Sequence, residues 1–245
     1  MQLQHRMFQR RVGRYLEKLC IENEIERHTK ISREHLTPEL QLHLLTPDCP
    51  LYTARETQIP RYFREPFWSI YWPGGQVLAR YILDEGSRFL RGLSAAKVLD
   101  VGAGCGAAAI AAKIAGADDV LANDIDKVAC VAAIKNAKLN GVKIRTSTND
   151  LIGRELPENF DFVLIGDLLY DEIIATRLED WLEKYVSNTE NPLTEIYVAD
   201  PGRHGLSDTL RRRLVHRRTY RLPKNVCREN YGYNEAAVWK YLPRS

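Results

Sequence analysis

Acids at the ends of short apolar runs are the residues of this chain best placed to do chemistry. The first stands just ahead of a glycine turn: Val98-Leu99-Asp100-Val101-Gly102-Ala103-Gly104-Cys105-Gly106 closes an apolar run and passes into Ala107-Ala108-Ala109-Ile110-Ala111-Ala112. Glycines so spaced let backbone approach a ligand closely. Gly102-x-Gly104-x-x-Ala107 satisfies the dinucleotide pattern and an acid follows at about the right distance, so the glycines alone leave NAD as a rival ligand. Asp100 separates the two. A carboxylate beside the loop repels a pyrophosphate and suits the cationic amino group of a methionyl moiety. Asp100, Gly102, Ala103, Gly104 and Gly106 therefore read as a seat for S-adenosylmethionine, against a plain strand-to-helix turn as the bland alternative.

Three further acids follow the same rule. In Leu121-Ala122-Asn123-Asp124-Ile125-Asp126, Asp124 is positioned to accept hydrogen bonds from both ribose hydroxyls, and Asp126 reads as the cap of the next helix. In Asn149-Asp150-Leu151, Asp150 suits the adenine amino group and Leu151 the face of the ring, with a simple Asx turn as the equal alternative. Phe162-Val163-Leu164-Ile165-Gly166-Asp167-Leu168-Leu169-Tyr170-Asp171 brings Asp167 and Tyr170 toward the reacting groups, unless Asp167 is only a helix cap. Trp72 reads as a cover over the cofactor or as core packing.

Ligands sit at the carboxyl edge of doubly wound sheets, so the elements must converge there. Strands are expected at Lys97–Val101, Val120–Asn123, Lys143–Thr146, Phe160–Ile165 and Glu195–Ala199, all parallel. Helices begin near Pro73, Gly106, Asp126, Asp171 and Ser207. Ala236–Leu242 reads as a closing strand and Thr219–Leu222 as a further edge strand, about seven in total on class analogy. The fold expected is α/β, a doubly wound and mostly parallel seven-stranded sheet of Rossmann-like type. It spans residues 66–245, behind an N-terminal extension at 1–65 in which no alternation of strand and helix is legible.

At 245 residues, with 44% hydrophobic and 27% charged, the chain can bury a core without a partner. A net charge of +3 is too small to indicate nucleic-acid binding. The run Arg211, Arg212, Arg213, Arg217, Arg218 reads as a solvated helix face before a docking patch. Five scattered cysteines without a CxxC pair indicate neither a disulfide framework nor a zinc site, and no metal is expected. No apolar run approaches the roughly 18 residues of a membrane helix, so no membrane insertion is expected. The first sixteen residues carry Arg6, Arg10, Arg11 and Arg14 and no acid, with apolar groups at roughly helical spacing. That fits a mitochondrial presequence, and equally a retained docking helix, for which the location would be cytoplasmic.

Taken together, Trp68-Ser69-Ile70-Tyr71-Trp72-Pro73-Gly74-Gly75, the Asp100–Gly106 turn, Ala122–Asp126 and Gly166–Asp171 closely resemble the electron transfer flavoprotein β-subunit lysine methyltransferases. These are a branch of the seven-strand, class I protein methyltransferases marked by an acid-x-x-aromatic motif, which Asp167-Leu168-Leu169-Tyr170 matches. The likeness runs from about Leu36 to Tyr241 and includes Leu36-Thr37-Pro38-Glu39, Asp200-Pro201-Gly202-Arg203 and Ala237-Val238-Trp239. It implies protein-lysine N-methylation of the flavoprotein β subunit, with S-adenosylmethionine as cofactor, in the mitochondrial matrix. It further implies that Trp72, Gly102, Gly104, Asp124 and Asp150 line the cofactor site and that Asp167 and Tyr170 sit beside the lysine. Met1–Ile31 carries no motif of that family. Two alternatives stand beside this reading: a ribosomal-protein methyltransferase, and a docking protein that keeps the cofactor pocket without turnover.

Overall fold

Parallel strands between two helical layers must be apolar on both faces, and the central runs of this chain meet that demand. The computed structural model describes residues 2–90, 93, 95–186 and 194–243. In chain order the elements are α1 (Gln2–His28), β1 (Lys30–Ser32), β2 (Leu42–Leu44), α2 (Pro73–Leu90), β3 (Lys97–Val101), α3 (Ala107–Ala115), β4 (Asp119–Asn123), α4 (Lys127–Leu139), β5 (Arg145–Ser147), β6 (Phe162–Gly166), α5 (Glu172–Trp181), β7 (Glu195–Asp200), α6 (Asp208–Arg211), β8 (Leu214–Arg221), α7 (Lys224–Glu229) and β9 (Glu235–Tyr241). The large sheet has seven strands in the order β5-β4-β3-β6-β7-β9-β8. Its first five are parallel, and β9 and β8 close it antiparallel.

Period-two alternation assigns the two faces of the sheet. Val98, Val120, Ala122, Phe162, Leu164, Tyr197 and Ala199 pack with α2 and α3. Their neighbours Leu99, Val101, Leu121, Val163, Ile165, Ile196 and Val198 pack with α5 on the other side. Asp100 falls on the α3 side, beneath the helix that the glycine turn opens. Helix starts fall where the sequence marks them. The Asp126 side chain accepts from Val128 N at 2.8 Å, Asp171 accepts from Ile173 N and Ile174 N at 2.9 Å, and Ser207 caps α6. Each such cap is worth about 1 kcal/mol.

Three expectations need correction. The third parallel strand is Arg145–Ser147, because pairing begins where Arg145 meets Leu121 across the ladder, while Ile144 packs against the core ahead of it. The edge strand is Leu214–Arg221, starting well before Thr219; it is almost wholly exposed, so its sequence carries no apolar alternation to read. The arginine run is divided: Arg211 ends α6, while Arg217 and Arg218 lie on β8, with Arg217 at an irregularity in its ladder. Charge on an edge strand discourages pairing with another chain.

Residues ahead of α2 form a long helix and a two-stranded sheet, which the polar texture of the extension did not reveal. They pack on the domain. Leu40, Leu42 and Leu44 join the α2 and α3 cluster, while Ile21 and Ile25 of α1 meet Trp68 and the α4 residues Val128, Ala129 and Ala132. Ion pairs Glu17–Lys127 and Glu26–Lys135 fasten the same contact. Val12, Tyr15, Leu16 and Leu19 are exposed. Among the described residues no helix is long and apolar enough to cross a membrane.

Candidate functional site

Leaving β3, the chain crosses to β4 on one side, while β6 pairs with β3 on the other. A crevice opens at the carboxyl ends where strand order reverses in this way, and that is where ligands sit in such sheets. The glycine turn lies there. Gly102, Gly104 and Gly106 all have left-handed backbone, with φ of 68°, 52° and 80°. A side chain at such a position costs roughly 1–2 kcal/mol. A Cβ on Gly102 would stand 2.7 Å from Leu168 Cδ2, and one on Gly106 would stand 2.7 Å from Ala133 Cβ. On Gly104 it would meet nothing nearer than Trp68 Cα at 3.7 Å. Packing demands the outer two glycines, whereas the middle one leaves open the space a ligand needs. That space is part of a small cleft of about 50 Å³ lined by Trp72, Asp100, Gly102, Ala103, Gly104 and Asp167, together with Tyr71, Gly75 and Cys105.

Two carboxylates hold the turn. Asp100 Oδ2 accepts from Ala109 N at 3.0 Å, and burial pushes its carboxyl from 3.8 to about 7, with Asp124 adding to the rise and the Ala109 N–H opposing it. Asp124 Oδ2 accepts from Gly104 N at 2.9 Å and its Oδ1 from Asp126 N at 2.9 Å. Burial raises Asp124 as well. The residues present fit a cationic nucleoside: a buried acid seeks positive charge, beside an opening that no side chain fills.

Asp167 forms the opposite wall. It has φ of 55° at the end of β6, a conformation uncommon for a residue with a side chain, and its N–H donates to Ala199 O at 3.0 Å. Its Oδ2 accepts from Gly75 N at 2.9 Å, while Oδ1 accepts from Arg203 Nε at 3.0 Å and Nη2 at 2.8 Å. Burial raises its pKa against the lowering effect of Arg203. The Arg203 guanidinium lies 5.6 Å from the ring centre of Trp72 and 5.5 Å from that of Tyr233. Asp200 sets the turn that delivers it, Oδ1 accepting from Gly202 N at 2.7 Å and Arg203 N at 2.6 Å. Tyr170 stands about half exposed, and burial of the remainder, then Asp171 and Asp124, raise its phenol.

Trp72, Asp100, Gly102, Ala103, Gly104 and Asp167 thus share one cleft. Asp124 joins them through the Gly104 amide, and Gly106 serves the turn by packing on Ala133. Asp150 is turned elsewhere, its Oδ2 accepting from Arg177 Nη2 at 2.8 Å, and Leu151 is buried in the cluster under α5. Trp72 donates its Nε1 to Phe67 O at 2.9 Å, so it is a fixed wall. Residue typing overlooked Arg203, Tyr233 and the role of Gly75. Arg203 had a signal: Asp200-Pro201-Gly202-Arg203 ends β7 on the same edge as Asp167, so the rule that selected Asp167 applies to it too. Tyr233 had none, because it comes from the connection ahead of β9. Among the described residues no group of three or more His, Cys, Asp or Glu comes together as a metal site.

Comparison with known proteins bears on this geometry. The family described as Ribosomal protein L11 methyltransferase (PrmA) matches residues 87–191, the stretch that holds the glycine turn and Asp167. The electron transfer flavoprotein beta subunit lysine methyltransferase of Danio rerio is 43% identical over 225 residues, covering 90% of this chain and 83% of that protein. The protein of the same name from Homo sapiens is 39% identical over 222 residues, covering 89% and 81%. Among solved structures, the magnesium protoporphyrin IX methyltransferase of Synechocystis with bound S-adenosylmethionine overlaps 75% of this chain and 90% of its own, at 17% identity and a TM-score of 0.48. A likeness of that degree fixes no residue's role. With identity of this order across most of both chains, this chain belongs to the electron transfer flavoprotein β-subunit lysine methyltransferase family.

Proposed function

We propose that the chain transfers methyl groups from S-adenosylmethionine to lysine side chains of the electron transfer flavoprotein β subunit. The observation that carries this reading is the cleft in which buried Asp100 and the open face of Gly104 lie opposite the Asp167 wall. Support for the acceptor comes from the names of the relatives.

When bound, the cofactor supplies an electrophilic methyl group on a sulfonium. In this reading Asp100 would hold its amino group, Asp124 its ribose, and Asp150 its adenine amino group once it exchanges Arg177 for that partner, while Leu151 stays in the cluster under α5. To take that methyl group the acceptor amine would have to arrive neutral, its proton having passed to solvent. Free lysine has a pKa of about 10.4, and a wall that strips water from the ammonium favours the neutral form. Asp167 orients the amine by accepting its hydrogen bond and acts through position more than basicity. The exposed ring of Tyr170 holds the cation at the rim, worth roughly 0.5–1 kcal/mol.

The PrmA match takes in the glycine turn, Asp167 and Tyr170 and ends at residue 191, short of Arg203 and Tyr233. Incubating the protein with deuterated methyl donor and purified flavoprotein, then mapping by mass spectrometry, is expected to label β-subunit lysines. Label on a ribosomal protein in place of the flavoprotein would move the assignment to the other acceptor, and no label with bound cofactor would leave a docking protein. The reading places the protein in the mitochondrial matrix, supported by the arginine-rich, acid-free first sixteen residues. A fluorescent fusion that stays in the cytoplasm would overturn that placement.

A further inference from the structure

Arg203 is a buried cation that touches two residues of the cleft wall, Asp167 and Trp72, and nothing in the donor chemistry accounts for it. Its side chain is about one-tenth exposed. Both its Nε and Nη2 donate to Asp167 Oδ1, and its guanidinium carbon lies over two aromatic rings, 5.6 Å from the centre of Trp72, ahead of α2, and 5.5 Å from that of Tyr233, ahead of β9. Its own backbone is fixed by the fully buried Asp200, which accepts from both Gly202 N and Arg203 N. Four separate parts of the chain meet at this guanidinium. An arginine gripped so is preorganised, because little freedom remains to lose when a neighbour arrives.

We propose that Arg203 is a positioning residue for methyl transfer: it fixes Asp167 and the Trp72 ring on the acceptor side and spends the negative charge of Asp167, so that the carboxylate orients an amine without stabilising its protonated form. The inference rests on the lysine-methyltransfer reading given above. The physical need is specific. A lone carboxylate beside the acceptor would favour the ammonium, which has no lone pair to attack with, whereas a carboxylate already paired with a guanidinium keeps acceptor capacity but carries little net charge toward the cleft. The charged groups facing Asp167 are Arg203 and Asp200 from the end of β7; α2 presents backbone N–H only. Asp200 Oδ2 lies 3.9 Å from Arg203 Nε and has no hydrogen-bond partner, so Arg203 balances part of that charge too.

The test compares Arg203→Gln and Arg203→Lys with the unaltered enzyme for cofactor affinity by calorimetry, for kcat and KM on the flavoprotein, and for the pH dependence of kcat. Arg203→Gln is expected to lower kcat by about a hundredfold, the scale of misplacing a reacting group by about 1 Å. It is also expected to raise the pH at half-maximal kcat by about one unit, as an unpaired Asp167 holds the acceptor protonated. Arg203→Lys, which restores the charge without the fork or the stacking, should return the midpoint to its original pH and recover part of kcat. Cofactor affinity should stay within about threefold throughout, since no cofactor contact is removed. An Arg203→Gln enzyme with unchanged kcat and pH midpoint would overturn the proposal. So would a loss of kcat matched by equal loss of cofactor affinity with no shift in midpoint, which marks a merely structural part. Should Arg203→Gln fail to fold, Arg203→Lys decides alone: full activity in it shows that the fork and stacking position nothing. Absence of lysine methylation by the unaltered enzyme would instead remove the reading beneath and is seen before any variant is compared.

Discussion

At the glycine turn, three residues of one type do different work. Gly106→Val drives a side chain into Ala133 Cβ, so it is expected to cost several kcal/mol and to be read in a melting curve. Gly104→Val meets no close neighbour and adds roughly 1–2 kcal/mol of backbone strain, yet fills the opening, so loss of cofactor binding should exceed loss of stability. Equal effects of the two substitutions on stability would contradict that division. Asp167→Ala is expected to abolish lysine methylation while much of the cofactor affinity remains. It leaves the Arg203 guanidinium buried without its partner, a cost of about 3–5 kcal/mol that a denaturant titration reads directly. Comparable turnover by that variant would remove Asp167 from the acceptor side. Asp100 adds a pH dependence. Between 3.8 and about 7 the folded chain holds a proton there that the unfolded chain has released, so its contribution to stability is present below that window and lost as pH rises through it. A cationic ligand favours the ionised carboxyl, so cofactor binding just below pH 7 should release a proton, visible as a dependence of binding heat on buffer ionisation enthalpy. Asp100→Asn should abolish both effects; persistence of either would assign it to another group.

Elements were legible wherever burial writes a period into the sequence. β3, β4, β6 and β7 are short apolar runs because both faces are covered, and α4, α5 and α6 open at acids or serine whose side chains close the first turn. β8 was the hardest to bound, since an exposed edge strand needs no apolar residue, and Leu214–Arg221 is mostly arginine and other polar groups. The extension hid its structure for a related reason. The part of α1 that packs does so through Ile21 and Ile25, too few positions to stand out in a helix of 27 residues. The site divided likewise. Acids at strand ends could be named from the sequence, whereas the Arg203 contact with Trp72 and Tyr233 depends on three distant segments meeting. Because Ile25 is fully buried against α4, Ile25→Ala should cost about 2–5 kcal/mol by thermal or chemical denaturation. Leu16→Ala on the exposed side of the same helix should cost under about 0.5 kcal/mol, and equal costs would show that α1 docks by another face.

Across the molecule, the sheet's carboxyl edge gathers donor and acceptor sides into one cleft, lined by Asp100, the glycine turn and Asp167, with Arg203 gripping Asp167. A net charge of +3 gives no strong field toward any partner, so recognition of a protein acceptor falls to the rim, where Tyr170 is exposed. The whole account depends on what fills that cleft. Isothermal titration of the protein with S-adenosylmethionine, with its demethylated product and with NAD is the direct measurement. Saturable binding of the first two at one site, none of NAD, and loss of both in Gly104→Val are expected; binding of NAD with no heat from either sulfur nucleoside would contradict the account.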